Sequence, residues 1–185
     1  RSADMHKMDI PAGARAGAGT NNIPIETMSK RGVPVFNAPG ANANAVKELV
    51  VAGMLLAARN LPNALHFVST LDRADPDMEK KVEDGKKAFA GYEIAGQTLG
   101  VIGLGKIGCL VADAAIKLGM NVIGYDPDIT VDAAWNLPAQ VRKAHSVADL
   151  LRRSQFVTLH VPLVPETRHL INAKRIEQAV DGAGL

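Results

Sequence analysis

Three glycines at a fixed spacing stand near the middle of the chain, in Gly103-Leu-Gly105-Lys-Ile-Gly108. They follow an apolar run that begins at Thr98, and an amphipathic stretch from Lys106 comes after them. In a strand–turn–helix unit the first glycine permits the tight turn, the second lets backbone amides approach a pyrophosphate, and the third lets the helix pack closely on its strand. The N-terminus of the helix then faces the anion. The spacing predicts a dinucleotide site, and a purely structural glycine turn in another α/β protein is the alternative.

An acidic residue follows at the distance that such a site requires. Asp126 lies 18 residues after Gly108, where the apolar run Asn121–Tyr125 ends. A carboxylate in this place accepts hydrogen bonds from the adenosine ribose hydroxyls and repels a 2′-phosphate. Residues 127–130 contain no arginine that could offset this repulsion. The sequence therefore favours NAD over NADP.

The elements that position these residues alternate between strand and helix in the second half of the chain. Apolar runs predict strands, 3.6-residue periodicity predicts helices, and Ser146 with Asp149 and then Asn172 provide helix caps. The predicted order is strand 98–103, helix 106–118, strand 121–125, helix 146–153, strand 155–161 and helix 173–178. This alternation is typical of parallel βαβ units.

The first half of the chain is predicted to be mainly helical. Pro24 suits the first turn of a helix that ends before Gly32, and residues 33–36 form a short strand. Residues 45–60 are apolar on most faces, so we expect this helix to be buried on more than one side. A second helix covers residues 62–71, and the charge-rich residues 72–90 form a solvated, partly helical connection.

Composition excludes several classes of protein. Of the 185 residues, 47% are hydrophobic and 22% charged, which excludes wholesale disorder. A net charge of +2 and only four Phe, two Tyr and one Trp predict no nucleic-acid partner and no membrane. One cysteine excludes an internal disulfide and a thiolate zinc site, and we expect no metal. No signal peptide is evident, so we expect a soluble, cytoplasmic α/β protein.

Several stretches resemble the D-isomer-specific 2-hydroxyacid dehydrogenases. They are residues 15–22 (RAGAGTNN), 34–49 (PVFNAPGANANAVKEL), 99–108 (LGVIGLGKIG), 124–127 (GYDP) and 160–167 (HVPLVPET). The first two stretches are most similar to the phosphoglycerate dehydrogenases of that family. The resemblance implies a Rossmann-like doubly wound parallel sheet that binds NAD (residues 42–185) and a remnant of a flavodoxin-like substrate domain (residues 1–41).

The resemblance also assigns site residues. Those implied at the substrate, a small 2-hydroxy acid, are Arg1, Ser2, Arg15, Gly17 and Ala18. Those implied at NAD are Ala18, Gly103, Gly105, Lys106, Ile107, Gly108, Tyr125, Asp126, His160, Val161, Pro162 and Thr167. Cys109 is expected to be a packing residue, and His160 is not expected to be a catalytic acid.

The implied reaction is the oxidation of 3-phosphoglycerate to 3-phosphohydroxypyruvate, the first step of phosphorylated serine biosynthesis. The alternatives are another member such as a glyoxylate or hydroxypyruvate reductase, and a non-catalytic NAD-sensing regulator. The family's catalytic arginine, glutamate and histidine lie beyond the point that matches Leu185, and most of the N-terminal domain is missing. We therefore expect this chain to bind NAD without turnover.

The resemblance finally implies a homodimer through residues 45–71. Helices this short cannot turn all of their apolar side chains inward. The side chains concerned are Val46, Leu49, Val50, Met54, Leu55, Leu61, Leu65, Phe67, Val68 and Leu71. An exposed apolar patch usually marks a partner surface, and in these dehydrogenases the partner is a second copy.

Overall fold

A computed structural model describes residues 9–17, 19–20, 22–180 and 182 of the chain. The chain divides into two compact units, 1–46 and 47–185. The boundary falls inside a helix, α2 (Ala43–Ala58). The domain boundary after residue 41 stays a prediction.

The first unit contains a pair of short parallel strands and one helix. Strand β1 (Gly13–Arg15) pairs in parallel with β2 (Val35–Asn37), and α1 (Ile25–Lys30) lies between them in the sequence. Pro34 directly precedes β2, and its carbonyl accepts a hydrogen bond from the backbone N–H of Gly13 at 2.9 Å. The prediction of a helix and then a strand in this stretch is confirmed, whereas β1 was not predicted.

Helices open the second unit. After α2 come α3 (Leu61–Ser69), α4 (Met78–Gly85) and a 3₁₀ helix (Lys86–Phe89). From Lys47 onward, α2 buries Met54 and Ala58, whereas Leu49 is 73% exposed. The expectation that this helix is buried on more than one side is therefore not met within one chain, because the core reaches only one of its faces.

The sheet of the second unit has four parallel strands. They are β3 (Thr98–Ile102), β4 (Asn121–Tyr125), β5 (Arg142–Lys143) and β6 (Phe156–Leu159), in the spatial order β5-β4-β3-β6. The connecting helices are α5 (Lys106–Lys117), α6 (Val131–Asn136) and α7 (Val147–Arg153), and α8 (Ala173–Ile176) follows β6. The strand order reverses at β3, which confirms the predicted doubly wound sheet. Ligands of such sheets bind outside the carboxyl ends of the strands at the point of reversal.

The core of this unit lies on both faces of the sheet. On one face Leu99 and Val101 of β3 pack with Val111 and Ala115 of α5. On the other face Ile102 packs with Leu150 and Leu151 of α7. Strand β3 is buried on both faces, as expected for a central parallel strand.

Side-chain caps begin two of the predicted helices. The Ser146 hydroxyl accepts from the Asp149 amide at 3.1 Å, and the Asp149 carboxylate accepts from the His145 amide at 3.0 Å. The Asn172 side chain accepts from the Arg175 amide at 3.1 Å. Both predicted caps are confirmed.

Two elements between β4 and α7 were not predicted. Helix α6 is short, and its only tryptophan, Trp135, is 85% exposed. Strand β5 has two residues, too few to show an alternation. Among the described residues, no helix is both long enough and apolar enough to cross a membrane.

Candidate functional site

The turn after β3 requires glycine at its first position. Gly103 has φ +90°, a backbone conformation that residues with a Cβ rarely adopt. Its N–H donates to the Tyr125 carbonyl at 2.9 Å, and a Cβ added here would lie 2.6 Å from the carbonyl oxygen of His160. The turn is therefore held between the ends of β4 and β6.

The other two glycines of the motif have opposite surroundings. A Cβ added at Gly108 would lie 2.0 Å from the carbonyl oxygen of Gly103, so this glycine permits α5 to pack against the turn. A Cβ added at Gly105 would meet nothing within 4 Å. Gly105 therefore faces open space, which is where a bound pyrophosphate would approach the backbone.

The N-terminus of α5 is suited to an anion. Gly105 is the N-cap residue and provides no side chain to cap the helix. The first turn has no acidic residue and begins with Lys106, which is exposed. The helix dipole and the cation both favour a negative group here. Ile107, the next residue, is half-buried and packs against the core, so its side chain is structural.

Asp126 joins the glycine turn to the end of β4. Its Oδ2 accepts from the backbone N–H of Leu104 at 2.8 Å, and its Oδ1 accepts from that of Asp128 at 3.0 Å. Each carboxylate oxygen can accept more than one hydrogen bond, so the half-buried group keeps capacity for a ribose hydroxyl. The turn, the helix N-terminus and this carboxylate together fit a dinucleotide.

A pocket of about 420 Å³ lies beside Asp126. Tyr125 and Asp126 line one side of it. Its apolar lining comes from Leu104, Ile129, Leu137 and Val141, and its polar lining includes Lys143 and His145. The residues from Ile129 onward in this set were missed by sequence reasoning. The sequence carries no signal for them, because β5 has only two residues and shows no alternation.

The predicted residues after β6 lie elsewhere. His160 and Val161 lie against Gly103, on the side of β3 opposite to β4, and Pro162 and Thr167 belong to the following loop. The Thr167 hydroxyl donates to the Pro162 carbonyl and accepts from the Val164 amide at 3.0 Å, which closes the loop. None of the four lines the pocket beside Asp126. Burial lowers the pKa of His160, whose Nε2 lies 3.0 Å from the Thr158 hydroxyl.

Cys109 packs beneath the turn. Its buried thiol donates to the carbonyl oxygen of Leu104 at 3.2 Å, and the carbonyl oxygen of Ala133 lies 3.6 Å from the sulfur. Burial, and then the negative charge of Asp126, raise the pKa of this thiol. A protonated, buried thiol is a poor nucleophile, which supports its expected role as a packing residue.

The structure describes two of the five residues expected at the substrate. Arg15 is half-buried at the end of β1, and its guanidinium donates to the Asn22 side chain. Gly17 is buried, and its carbonyl accepts from the Ala38 amide at 3.1 Å. Arg1, Ser2 and Ala18 lie outside the described residues.

Comparison with known sequences identifies a family. The sequence model described as the D-isomer specific 2-hydroxyacid dehydrogenase, NAD binding domain, matches residues 52–185. A D-3-phosphoglycerate dehydrogenase of Methanocaldococcus jannaschii is 43% identical over 88% of this chain and 28% of its own length. A hydroxypyruvate reductase of Thermotoga maritima is 38% identical over 91% of this chain and 50% of its own length.

Comparison with solved structures also finds dehydrogenases of 2-hydroxy acids. The D-lactate dehydrogenase of Aquifex aeolicus, complexed with NAD and lactic acid, matches 93% of this chain and 47% of its own, with a TM-score of 0.71 and 27% identity. The apo D-lactate dehydrogenase of Escherichia coli matches 99% of this chain and 53% of its own, with a TM-score of 0.75 and 26% identity. This chain thus spans about half of these structures, and half or less of the two sequence relatives.

The sheet order, the glycine turn and the acid after β4 agree with these matches. The matched domain is described as NAD-binding, which agrees with the cofactor predicted from the glycine turn and Asp126. The chain belongs to the D-isomer-specific 2-hydroxyacid dehydrogenases and contains their NAD-binding domain.

Proposed function

We propose that this chain is the NAD-binding part of a dehydrogenase that oxidises 3-phosphoglycerate to 3-phosphohydroxypyruvate, the first step of phosphorylated serine biosynthesis. The relative from Methanocaldococcus jannaschii, a D-3-phosphoglycerate dehydrogenase, supports this choice of substrate. The observation that carries the proposal is the glycine turn bound by Asp126 through the Leu104 amide. Cytoplasmic location stays a prediction from the sequence.

Each part of the turn has a role in holding the cofactor. The open space at Gly105 and the N-terminus of α5 take the pyrophosphate, and Asp126 takes the adenosine ribose. His160, Val161, Pro162 and Thr167 contact the cofactor from the end of β6. When bound, NAD accepts a hydride from the substrate carbon that carries the hydroxyl.

The substrate contacts implied by the resemblance lie within residues 1–18. Arg15 supplies a cation for the carboxylate, because charge-assisted hydrogen bonds hold carboxylates well. The resemblance adds backbone contacts at Gly17 and Ala18, and the N–H of Gly17 donates to the Arg15 carbonyl at 3.0 Å in this structure. Arg1 and Ser2 complete this set. We propose these roles from the family resemblance, and the half-buried position of Arg15 supports the one for its side chain.

Hydroxypyruvate reduction is the second candidate, because the relative from Thermotoga maritima is a hydroxypyruvate reductase. Thermal stabilisation of the NADH-bound chain separates the candidates. Preference for 3-phosphohydroxypyruvate over hydroxypyruvate favours the first, and equal or reversed preference favours the second. Stabilisation by NADH alone, with neither acid adding to it, contradicts the substrate contacts proposed for this chain.

Asp126→Ala tests the cofactor site. We expect NAD binding, measured by calorimetry, to weaken by about 1–3 kcal/mol because a charged acceptor for the ribose hydroxyls is lost. The variant should also discriminate less against NADP. Asp128→Ala, which removes an exposed carboxylate two residues away, is the matched control and should bind NAD as the wild type does. Unchanged NAD affinity in Asp126→Ala would remove Asp126 from the site.

We further propose that the chain forms a homodimer through residues 45–71. The exposed apolar side chains of this region support it: Leu49, Leu55 and Leu56 on α2, and Leu61, Leu65 and Val68 on and around α3. They lie close together in the sequence on two consecutive helices. A second copy that presents the same surface would cover them in a two-fold arrangement.

A further inference from the structure

Lys143 projects from β5 on the same face of the sheet as the pocket beside Asp126. Its register partner is Gly124 of β4, and paired residues of neighbouring strands share a face. A Cβ added at Gly124 would contact the side chains of Leu104 and Val141, which line that pocket. The side chain of Lys143 therefore leaves β5 toward the pocket that it helps to line.

The charge of Lys143 is not used inside the described part of the chain. None of the ion pairs or side-chain hydrogen bonds between described residues includes it. Asp126 stands two residues beyond Gly124, about 7 Å farther along the strand direction. Its two oxygens accept from the Leu104 and Asp128 amides rather than from a lysine. Two exposed cations, Arg142 and Lys143, thus line a pocket whose other walls are mainly apolar. Of the two, Lys143 is the one whose register partner is Gly124, on the face of the sheet that the pocket occupies.

The pocket is the space next to the carboxylate that is proposed to hold the ribose. A group attached to the 2′-hydroxyl of that ribose has to occupy space beside Asp126. Residues 127–130, which follow Asp126 directly, contain no cation that could offset its repulsion of a 2′-phosphate. The structure adds a cation from a different strand, β5, which offsets the repulsion between the carboxylate and a phosphate.

We propose that Lys143 binds the 2′-phosphate of NADP, so that this chain accepts NADP in addition to NAD. The inference rests on the proposed function, since it places the ribose at Asp126. The lysine acts as a point charge on a flexible stem, which suits a phosphate at the rim of a pocket.

The test measures the affinity of the chain for NAD and for NADP by calorimetry, in the wild type, Lys143→Gln, Lys143→Arg and Lys80→Gln. Lys80→Gln removes the same charge from an exposed position on α4 and is the matched control. We expect Lys143→Gln to weaken NADP binding about fivefold or more and NAD binding less than about twofold, because only NADP loses a charge partner. Lys143→Arg should keep NADP binding, and Lys80→Gln should change neither affinity.

Salt provides a second readout. The affinity of the wild type for NADP should fall more steeply with sodium chloride than its affinity for NAD, and Lys143→Gln should remove this difference. NAD binding without NADP binding in the wild type, or equal NADP affinity in Lys143→Gln and Lys80→Gln, would overturn the inference and leave the proposed function intact. A wild type that binds neither nucleotide contradicts the proposed function, and this inference with it.

Discussion

The three glycines of the turn after β3 differ in what a methyl group would meet. At Gly103 the left-handed backbone and the His160 carbonyl both oppose a side chain. At Gly108 the obstacle is the Gly103 carbonyl, whereas Gly105 faces open space. Two of the glycines are thus needed for the fold, and the third leaves room for a ligand.

This difference predicts separable effects. Gly105→Val should keep its thermal unfolding midpoint within a few degrees of the wild type, because φ −73° and ψ −165° are open to residues with a side chain. Its NAD affinity should fall at least about tenfold, since the branched side chain occupies the space for the pyrophosphate. Gly108→Ala should lower the free energy of unfolding by about 1–3 kcal/mol, because α5 must move away from the turn.

Gly53→Ala is the control for both variants, since a Cβ at this position on α2 meets nothing within 4 Å. It should unfold at the same denaturant concentration as the wild type or at a slightly higher one. If Gly105→Val unfolds as readily as Gly108→Ala, the motif is a structural turn, and the cofactor has to be sought elsewhere.

At the scale of elements, sequence reasoning succeeded where the residue pattern is long enough. Strands β3 and β4 and helix α5 were predicted within a residue or two, because buried parallel strands form continuous apolar runs and α5 has a clear helical period. The cap at Ser146 was predicted because it depends only on residues three apart.

The missed elements are β1, α6 and β5, with three, six and two residues. A two-residue strand is too short to show a periodic pattern. It forms because it pairs with the edge of β4, and this pairing depends on the tertiary structure rather than on the local sequence. The glycine turn and Asp126 could therefore be predicted as parts of the site, but the pocket wall from Val141 to Lys143 could not. Lys143 could not be predicted at the pocket for the same reason, because it lies on β5 and not among the residues that directly follow Asp126.

At the scale of the whole molecule, the structure divides the residues expected at the dimer surface into two groups. Leu65 is 66% exposed, whereas Phe67 is half-buried with its ring centroid 5.2 Å from that of Phe89. A Cβ at Gly85 would lie 2.2 Å from the Phe67 ring, and Met54 is buried in the core. Phe67 is covered by α4 and the 3₁₀ helix, and Met54 packs in the core beside the sheet. Both are therefore packing residues within one chain and not parts of the dimer surface.

Leu65→Glu is therefore the variant that tests the proposed dimer. Sedimentation equilibrium at micromolar concentration should give a dimer for the wild type and a monomer for Leu65→Glu, with association weakened at least about tenfold by the buried, unpaired charge. Val131→Glu adds the same charge at an equally exposed apolar position on α6 and should remain a dimer. A monomeric wild type contradicts the proposal, and a dimer that survives Leu65→Glu places the contact on another surface.

The exposed indole on α6 has a spectroscopic consequence for the whole chain. Trp135 is the only tryptophan, so all indole emission originates from one hydrated point of the surface. We expect the emission maximum to change little between the folded chain and the chain in denaturant, and iodide to quench both to a similar degree. A large red shift on unfolding would contradict this exposure. Because tryptophan emission is expected to change little, unfolding of this chain has to be measured by circular dichroism. A blue shift of the tryptophan emission would instead indicate that a bound molecule covers α6.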